Sequence, residues 1–388
     1  MPIFSLPAFI AALYTAALLS MCWSFWQALR LVQQQPNLLN AGALSDPWPR
    51  LAVIIPVKDE EKEIGTCIAS VLAQDYPDFR VIVVNDRSTD GTAEVIQSYA
   101  DQDARLTRLD IRDLPAGLYG KPHALSCAKS LLGAEILVFI DSDFQLRPKC
   151  LRAVVRHLVT RGLDWLAMMG APQLDMFWEK LLVPLMGAMA YAWYDPRAIR
   201  DPDNPDAIGS GFMCVRRQAY EAIGGHGAVV RAYDEDSAML RLAKAAHQKV
   251  EYVLAPDLFT LRFYGGLKRT LHGITRTCIG GIKTLPRMHI TINALNFVSL
   301  LPLEILAGLG IARAFGVHVK WVPLWIGMAL VHLAIAAFFC GWIYSRARSP
   351  KWLAILHPLG AAMMIRVCLL ATRGILQRGP ITWRGTTY

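Results

Sequence analysis

A chain of 388 residues that is 54% hydrophobic and only 18% charged is too apolar for a disordered polymer and long enough for a soluble domain plus membrane segments. Its formal net charge of +9 is unevenly placed: residues 1–257 hold 25 Lys and Arg against 30 Asp and Glu, whereas residues 258–388 hold 15 against one acid, Glu304. Basic residues set among apolar runs describe a membrane base and not a nucleic-acid clamp, so nucleic acid is excluded as a partner and membrane lipids are expected as one.

Residues 5–29 carry no charge and are long enough to cross a bilayer. A cleaved signal peptide is the bland alternative, but no Lys or Arg precedes the run and no Ala-x-Ala site follows it. The segment 1–31 therefore reads as a transmembrane anchor. Arg30, the first basic residue, lies at its far end, which by the positive-inside rule puts the following domain in the cytoplasm. Residues 50–260 have the rhythm of an α/β domain. Short β-branched or apolar runs at 51–57, 81–84 and 136–140 predict strands, and the patterns at 64–72 and 93–99 predict helices after the first two. Continuous apolar strands alternating with helices imply a mostly parallel sheet covered on both faces, with ligands at the carboxyl ends of its strands. Met168, Met169, Met176, Phe177, Trp178, Met186, Met189 and Trp193 cluster around Pro184, as core or as a lipid-facing platform.

Residues 261–290 read as basic interfacial helices, 291–372 as C-terminal membrane helices and 373–388 as a basic tail. Three apolar stretches, 292–314, 321–344 and 352–370, pose a conflict of orientation. The loop 346–351 and the tail with Arg373, Arg378 and Arg384 are both basic, yet one crossing would place them on opposite faces. The last stretch also contains Pro358, Gly360 and Arg366, so a re-entrant or interfacial hairpin is expected there. The eight cysteines are scattered with no CxxC pair, which speaks against a disulfide framework or a zinc site.

The chemistry-bearing residues follow predicted strands. Pro56-Val57-Lys58-Asp59-Glu60 comes after the first, and Asp86-Arg87-Ser88-Thr89-Asp90-Gly91 ends the second. Asp90-Gly91 is a turn and cap for a helix beginning near Thr92, while Asp86 sits on the strand end itself, where a carboxylate can accept from a base or ribose. No Gly-x-Gly-x-x-Gly or Walker pattern follows either strand, which disfavours a dinucleotide or P-loop enzyme. The third strand ends in Asp141-Ser142-Asp143, two carboxylates able to share a hard divalent ion with substrate phosphates. Glu235-Asp236 opens a helical pattern. An acidic first turn suits the helix dipole, and a carboxylate there can also serve as a general base. His226 and His247 have no partner at ligand spacing and read as structural.

Val53-Ile54-Ile55-Pro56, the stretch 85–92, Asp141-Ser142-Asp143, Gly209-Ser210-Gly211-Phe212 with Arg216-Arg217, Gly224-Gly225-His226 and Glu235-Asp236 together resemble glycosyltransferase family 2 with the GT-A fold, over roughly residues 50–280. The membrane segments and the tail Ile381-Thr382-Trp383-Arg384-Gly385-Thr386-Thr387-Tyr388 resemble the hopene-associated and carotenoid-acid glycosyltransferases. The resemblance implies inverting transfer from a nucleotide-diphosphate sugar to a lipid acceptor with Mg²⁺ or Mn²⁺, by an integral protein of a bacterial-type inner membrane. It implies that Asp236 is the base with Glu235 beside it. Pro56, Lys58, Glu60, Asp86, Lys121, Asp141, Ser142 and Asp143 would hold the nucleotide sugar, Asp141 and Asp143 also taking the metal. Gly209, Ser210 and Gly211 would face the acceptor, and Arg262, Tyr264 and Arg276 are candidate partners for the diphosphate. Processive members carry Gln-x-x-Arg-Trp after the base, whereas here Gly273-Ile274-Thr275-Arg276-Thr277 keeps only the Arg, which favours a single transfer over polymer synthesis.

Overall fold

The computed structural model describes residues 6–40, 44, 46–128, 133–201, 203–263, 265–282, 284–377, 382–383 and 386–387. Tyr264, Arg378 and tail residues 381, 384, 385 and 388 lie outside them. Two compact units emerge. One comprises Met1–Gln34, Leu174–Trp193 and Phe263–Arg378, and the other Gln35–Gln173, Tyr194–Arg262 and Gly379–Tyr388.

The second unit is the α/β domain. Between residues 51 and 262 its strands are β1 (Leu51–Val57), β2 (Phe79–Asp86), β3 (Leu106–Ile111), β4 (Ile136–Ile140), β5 (Phe144–Leu146), β6 (Trp165–Met169), β7 (Ala171–Gln173), β8 (Phe212–Arg216), β9 (Val250–Leu254) and β10 (Phe259–Arg262). Seven of them form one sheet in the order β3-β2-β1-β4-β8-β6-β9, and β5-β10-β7 form a small second sheet. Leu51–Val57 is buried along its whole length, as a central parallel strand covered on both faces must be. Each of its large aliphatic side chains contributes about 1.5–3 kcal/mol by leaving water. β1 runs parallel to both β2 and β4, so Val57, Asp86 and Ile140 end on the same side of the sheet. The chain moves outward from β1 through β2 to β3 on one side and to β4 on the other, which opens a crevice at the carboxyl ends where the direction changes. β8 runs antiparallel to β4 and pairs Phe212 with Ile140, bringing Gly211 against Asp141.

Helix Ile64–Leu72 falls on its predicted span, and the helix predicted at 93–99 extends by one residue at each end, to Thr92–Ala100. Asp90 Oδ1 accepts from the Thr92 amide at 3.0 Å, as its capping role requires. At the far edge of the sheet, Glu251 of β9 is 1% exposed and held between His157, whose Nε2 lies 2.9 Å from Oε2, and Arg200. Burial alone would raise its carboxyl, but the His157 hydrogen bond and the Arg200 charge outweigh it and hold it below the ordinary glutamate value. A depressed carboxyl adds stability above its unfolded value, about 4.3, and loses it as the pH falls through the folded one. Glu251→Ala is therefore expected to cost about 1–3 kcal/mol at pH 7 by leaving the buried His157 without its partner. Thermal unfolding of both proteins across pH should show the gap closing only in acid.

The first unit is helical. Among the described residues, four of its segments are long and apolar enough to cross a membrane: Leu6–Gln33, Leu285–Ala314, Val322–Arg346 and Lys351–Gln377. Tyr14 Oη meets His332 Nδ1 at 2.6 Å with both residues buried, and Phe25 stacks on Phe339 with ring centroids 3.8 Å apart. The helix Phe177–Trp193 belongs here, although its residues fall inside the span 50–260 expected of one α/β domain. The reason is its apolar face: Leu181, Leu182 and Leu185 share a core with Ile274, Tyr344, Met364 and Val367, and Tyr344 Oη donates to Leu181 O at 3.1 Å. The Met- and Trp-rich cluster thus packs, in large part, as core: Trp178, Met186, Met189 and Trp193 lie against this same group, while Met176 stays exposed.

One further expectation is corrected. Pro358 and Gly360 do not break the last apolar stretch, which forms a continuous helix His357–Gln377. Pro358 sits in the first turn, where a missing N–H costs nothing. Gly360 faces the side chains of Leu181 and Leu185, and a Cβ there would come within 2.7 Å of Leu185 Cδ1. Arg366 points outward on the exposed side of this helix.

Candidate active site

The centre of the site is Lys121, in the first turn of helix Gly120–Cys127. Its Nζ lies 2.8 Å from Asp141 Oδ1, 2.7 Å from Glu235 Oε1 and 3.3 Å from Asp236 Oδ2. Burial works against the ammonium, but the three carboxylates outweigh it and hold Lys121 well above the ordinary lysine value. Asp236 is raised as well, which for a carboxyl disfavours the charged form. Burial raises it first, Lys121 offsets part of that, and Glu235 and Asp141 add to the rise, leaving it well above the usual aspartate range. A carboxyl with that affinity for protons, held by hydrogen bonds in the first turn of helix Glu235–Ala245, is suited to accept one from a bound hydroxyl.

Close backbone contacts explain why small residues surround these acids. A Cβ on Gly209 would run into the backbone of Asp236, and one on Gly211 into the carboxylate of Asp141. Gly209 N donates to Ser237 Oγ at 3.0 Å, and Asp141 N donates to Gly211 O at 3.0 Å. The segment 209–211 thus braces both carboxylates from behind. Ser210 is buried, its hydroxyl 2.7 Å from Met168 O and 2.9 Å from Phe212 O. Expected on the acceptor side, it is instead committed to the backbone of β6 and β8. Pro56 is likewise buried inside β1 opposite Val84, and Ser142 is buried between the two aspartates.

Asp143 lies next to the cluster, and its Oδ1 is buried with no hydrogen-bond partner. Burial and then the Asp141 charge push its carboxyl up to about 7. Two adjacent carboxylates, one carrying an unanswered buried oxygen, fit a divalent cation that takes its other ligands from substrate phosphates. Among the described residues, no three His, Cys, Asp or Glu side chains gather as an all-protein cage.

The strand-end turns form a second part of the site. Asp59 N donates to Ser88 Oγ and Glu60 N to Thr92 Oγ1, while Asp59 Oδ1 accepts from Thr89 N. These bonds stitch the turn after β1, including Lys58 and Glu60, to the one after β2. Asp86 ends β2, almost fully buried, with its carboxylate gripped by Arg87 at 2.7 and 3.0 Å. Arg262 of β10 donates its backbone N–H to Asp143 O, but its guanidinium pairs with Glu63 at 2.7 Å. Arg276 lies on helix Leu267–Ile282 of the other unit. His226, fully buried, has Nδ1 3.0 Å from Tyr220 Oη, and burial followed by the Lys121 charge pushes its imidazole down to about 3, so it stays neutral.

Ser237 and Glu63 carry no signal in the sequence, and Arg87 and Asp59, although they stand in the strand-end stretches, take roles that the sequence does not assign. Their roles depend on partners from 1 to 199 positions away, and the only local signal is the charged pair Asp86-Arg87.

Residues 52–224 match the model of glycosyl transferase family 2. The chain is 25% identical over 374 residues to 4,4'-diaponeurosporenoate glycosyltransferase of Staphylococcus aureus, which covers 92% of this chain and 93% of that protein. It is 28% identical over 207 residues to beta-monoglucosyldiacylglycerol synthase of Synechocystis, covering 51% of this chain and 42% of that one. The solved structure of the mannosyltransferase PcManGT from Pyrobaculum calidifontis, in complex with GDP-Man and Mn²⁺, aligns with a TM-score of 0.50 at 20% identity over 95% of this chain and 98% of that one, a likeness of fold. The parallel sheet, the crevice with its strand-end aspartates and the family match make residues 52–224 a glycosyl transferase family 2 domain of GT-A-like fold, in a chain that also carries apolar helices of membrane-crossing length.

Proposed function

We propose that the chain transfers a single sugar, with inversion, from a nucleotide-diphosphate sugar to a hydroxyl or carboxyl of a hopanoid- or carotenoid-like lipid. The observation that carries this reading is the convergence of Asp141, Glu235 and Asp236 on Lys121, a base and an anion-binding cation side by side. The names of the two sequence relatives, one acting on a carotenoid acid and one making a glycolipid, support a lipid acceptor. Four apolar helices support its delivery from a membrane, and Arg30 at the end of the first supports a cytoplasmic catalytic domain.

In this reading Asp86 holds the nucleoside, Lys121 contacts the diphosphate, and Asp236 takes the acceptor proton as the acceptor oxygen attacks the anomeric carbon. The carbon–oxygen bond to the diphosphate breaks on the opposite face, so one base suffices and no second, nucleophilic carboxylate is needed. Glu235 shares Lys121 with Asp236 and keeps the base directed toward the crevice. Asp141 and Asp143 would hold a divalent cation. When bound, Mg²⁺ or Mn²⁺ supplies neutralisation of the charge gathering on the leaving diphosphate.

Membranes containing the protein, given a labelled nucleotide sugar and extracted lipid, should yield one discrete glycolipid that is missing when the protein is absent. A ladder of product lengths would turn the reading to polysaccharide synthesis, and a labelled polyprenyl phosphate to that acceptor. No binding of any nucleotide sugar in the presence of Mn²⁺ would point to a non-catalytic scaffold of the same fold.

A further inference from the structure

Asp86 is the nucleoside contact in the reading above, and on that basis we infer that Arg87 selects the base, admitting a uracil-type imide and rejecting guanine. The Asp86 side chain is 3% exposed, and one group engages both its oxygens: Arg87 Nε lies 2.7 Å from Oδ1 and Nη2 lies 3.0 Å from Oδ2. Such a fork between sequence neighbours needs an unusual backbone. Arg87 has φ of 55°, in the left-handed region that side chains other than Asn and Asp seldom enter, and its N–H closes a tight turn on Asn85 O at 3.2 Å. A residue kept there is strained and marks a position where the geometry serves a purpose. Here it folds a guanidinium back onto the carboxylate that precedes it.

The consequence follows from the shape of a carboxylate. Its two oxygens offer about four lone-pair sites, two facing forward together and two pointing outward and apart. The guanidinium fork fills the forward pair. Guanine presents two neighbouring donors, N1–H and one N–H of its 2-amino group, and a carboxylate receives both only through that forward pair. Arg87 would have to leave. Uracil presents one N3–H between two carbonyls. A single outward site accepts it, and the guanidinium alongside suits a flanking carbonyl. Arg87 thus turns a carboxylate that could read two donors into one that reads one.

Calorimetric titration of the purified full-length chain in detergent, with Mn²⁺ present, should show UDP binding at least about tenfold more tightly than GDP, the discrimination one bidentate contact supplies. Arg87→Gly keeps the left-handed turn without strain and frees the forward face of Asp86. In this variant GDP should tighten until the two affinities lie within about threefold. Thermal unfolding checks that the variant is folded. If it is not, Arg87→Lys, whose ammonium cannot fill both forward sites, should give a ratio between the two. Equal binding of UDP and GDP to the wild type overturns the role of Arg87 while leaving the nucleotide-sugar reading in place, as does a folded variant with an unchanged ratio. Failure of the wild type to bind either nucleotide overturns both.

Discussion

Replacing Asp236 by Asn is expected to lower the turnover of sugar transfer by a factor of ~10²–10⁴, the range over which a positioned general base acts. The substitution keeps the size of the side chain and one of the two oxygens that accept from Lys121 Nζ, while Lys121 keeps its closer contacts to Glu235 and Asp141. The Michaelis constant for the donor should change little, because the base acts on the acceptor proton. The pH profile gives an independent reading. Only the deprotonated carboxyl can accept a proton, and burial raises Asp236 well above the ordinary aspartate value. The wild-type rate should therefore fall on the acid side along a limb lying above the usual carboxylate range. The residual rate of Asp236→Asn should lack that limb. An unchanged turnover, or a variant that keeps the limb, would remove Asp236 from the role of base and direct attention to Glu235.

Much of this arrangement was legible from the sequence because it rests on local signals. The strands 51–57 and 136–140 are continuous apolar runs, and a run of that kind between polar turns has few other ways to bury itself. The predicted strand at 81–84 was too short, since β2 extends from Phe79 to Asp86. Pairing with both β1 and β3 carries Arg80, Asn85 and Asp86 into the ladder, and no property of those side chains advertises it. The aspartates at 86, 141 and 236 were legible for a related reason: each stands at the end of a strand or the start of a helix, where a carboxylate meets unpaired donors and open space.

Residues whose roles come from distant partners were not legible in this way. Nothing near Arg262 signals that Glu63, 199 positions earlier, takes its guanidinium. Ser210 reads as a flexible contact in a Gly-Ser-Gly loop until β6 and β8 close around its hydroxyl. The antiparallel insertion of β8 between β4 and β6 is a decision of tertiary packing, yet it is what sets Gly211 against Asp141. The helix Phe177–Trp193 shows the same limit at the scale of units, because a sequence does not say which of two apolar cores a helix will join.

Lys121→Met provides the other large expected effect, and it probes the electrostatics of the whole cluster. The substitution preserves most of the volume and removes a cation that touches Asp141, Glu235 and Asp236 together. Three carboxylates then face one another in a largely buried crevice, and losing the partner of such a group typically costs about 3–5 kcal/mol. The side chains relieve the repulsion by taking up a proton. Asp236 is the candidate to do so, since burial, Glu235 and Asp141 already raise it and Lys121 is what restrains it. Activity at pH 7 should therefore fall by two mechanisms, weaker diphosphate binding and a base that is protonated. The second recovers as the pH is raised, so the deficit relative to wild type should narrow at alkaline pH while the donor Michaelis constant stays high. The double variant Lys121→Met with Asp236→Asn separates stability from catalysis. Removing one of the stranded charges should restore part of the lost thermal stability, and transfer should remain at the low level of Asp236→Asn. If Lys121→Met unfolds at the wild-type temperature and the second substitution brings no recovery, the three carboxylates are not held together by Lys121. The acids would then be positioned by their backbones alone, through Gly209 and Gly211.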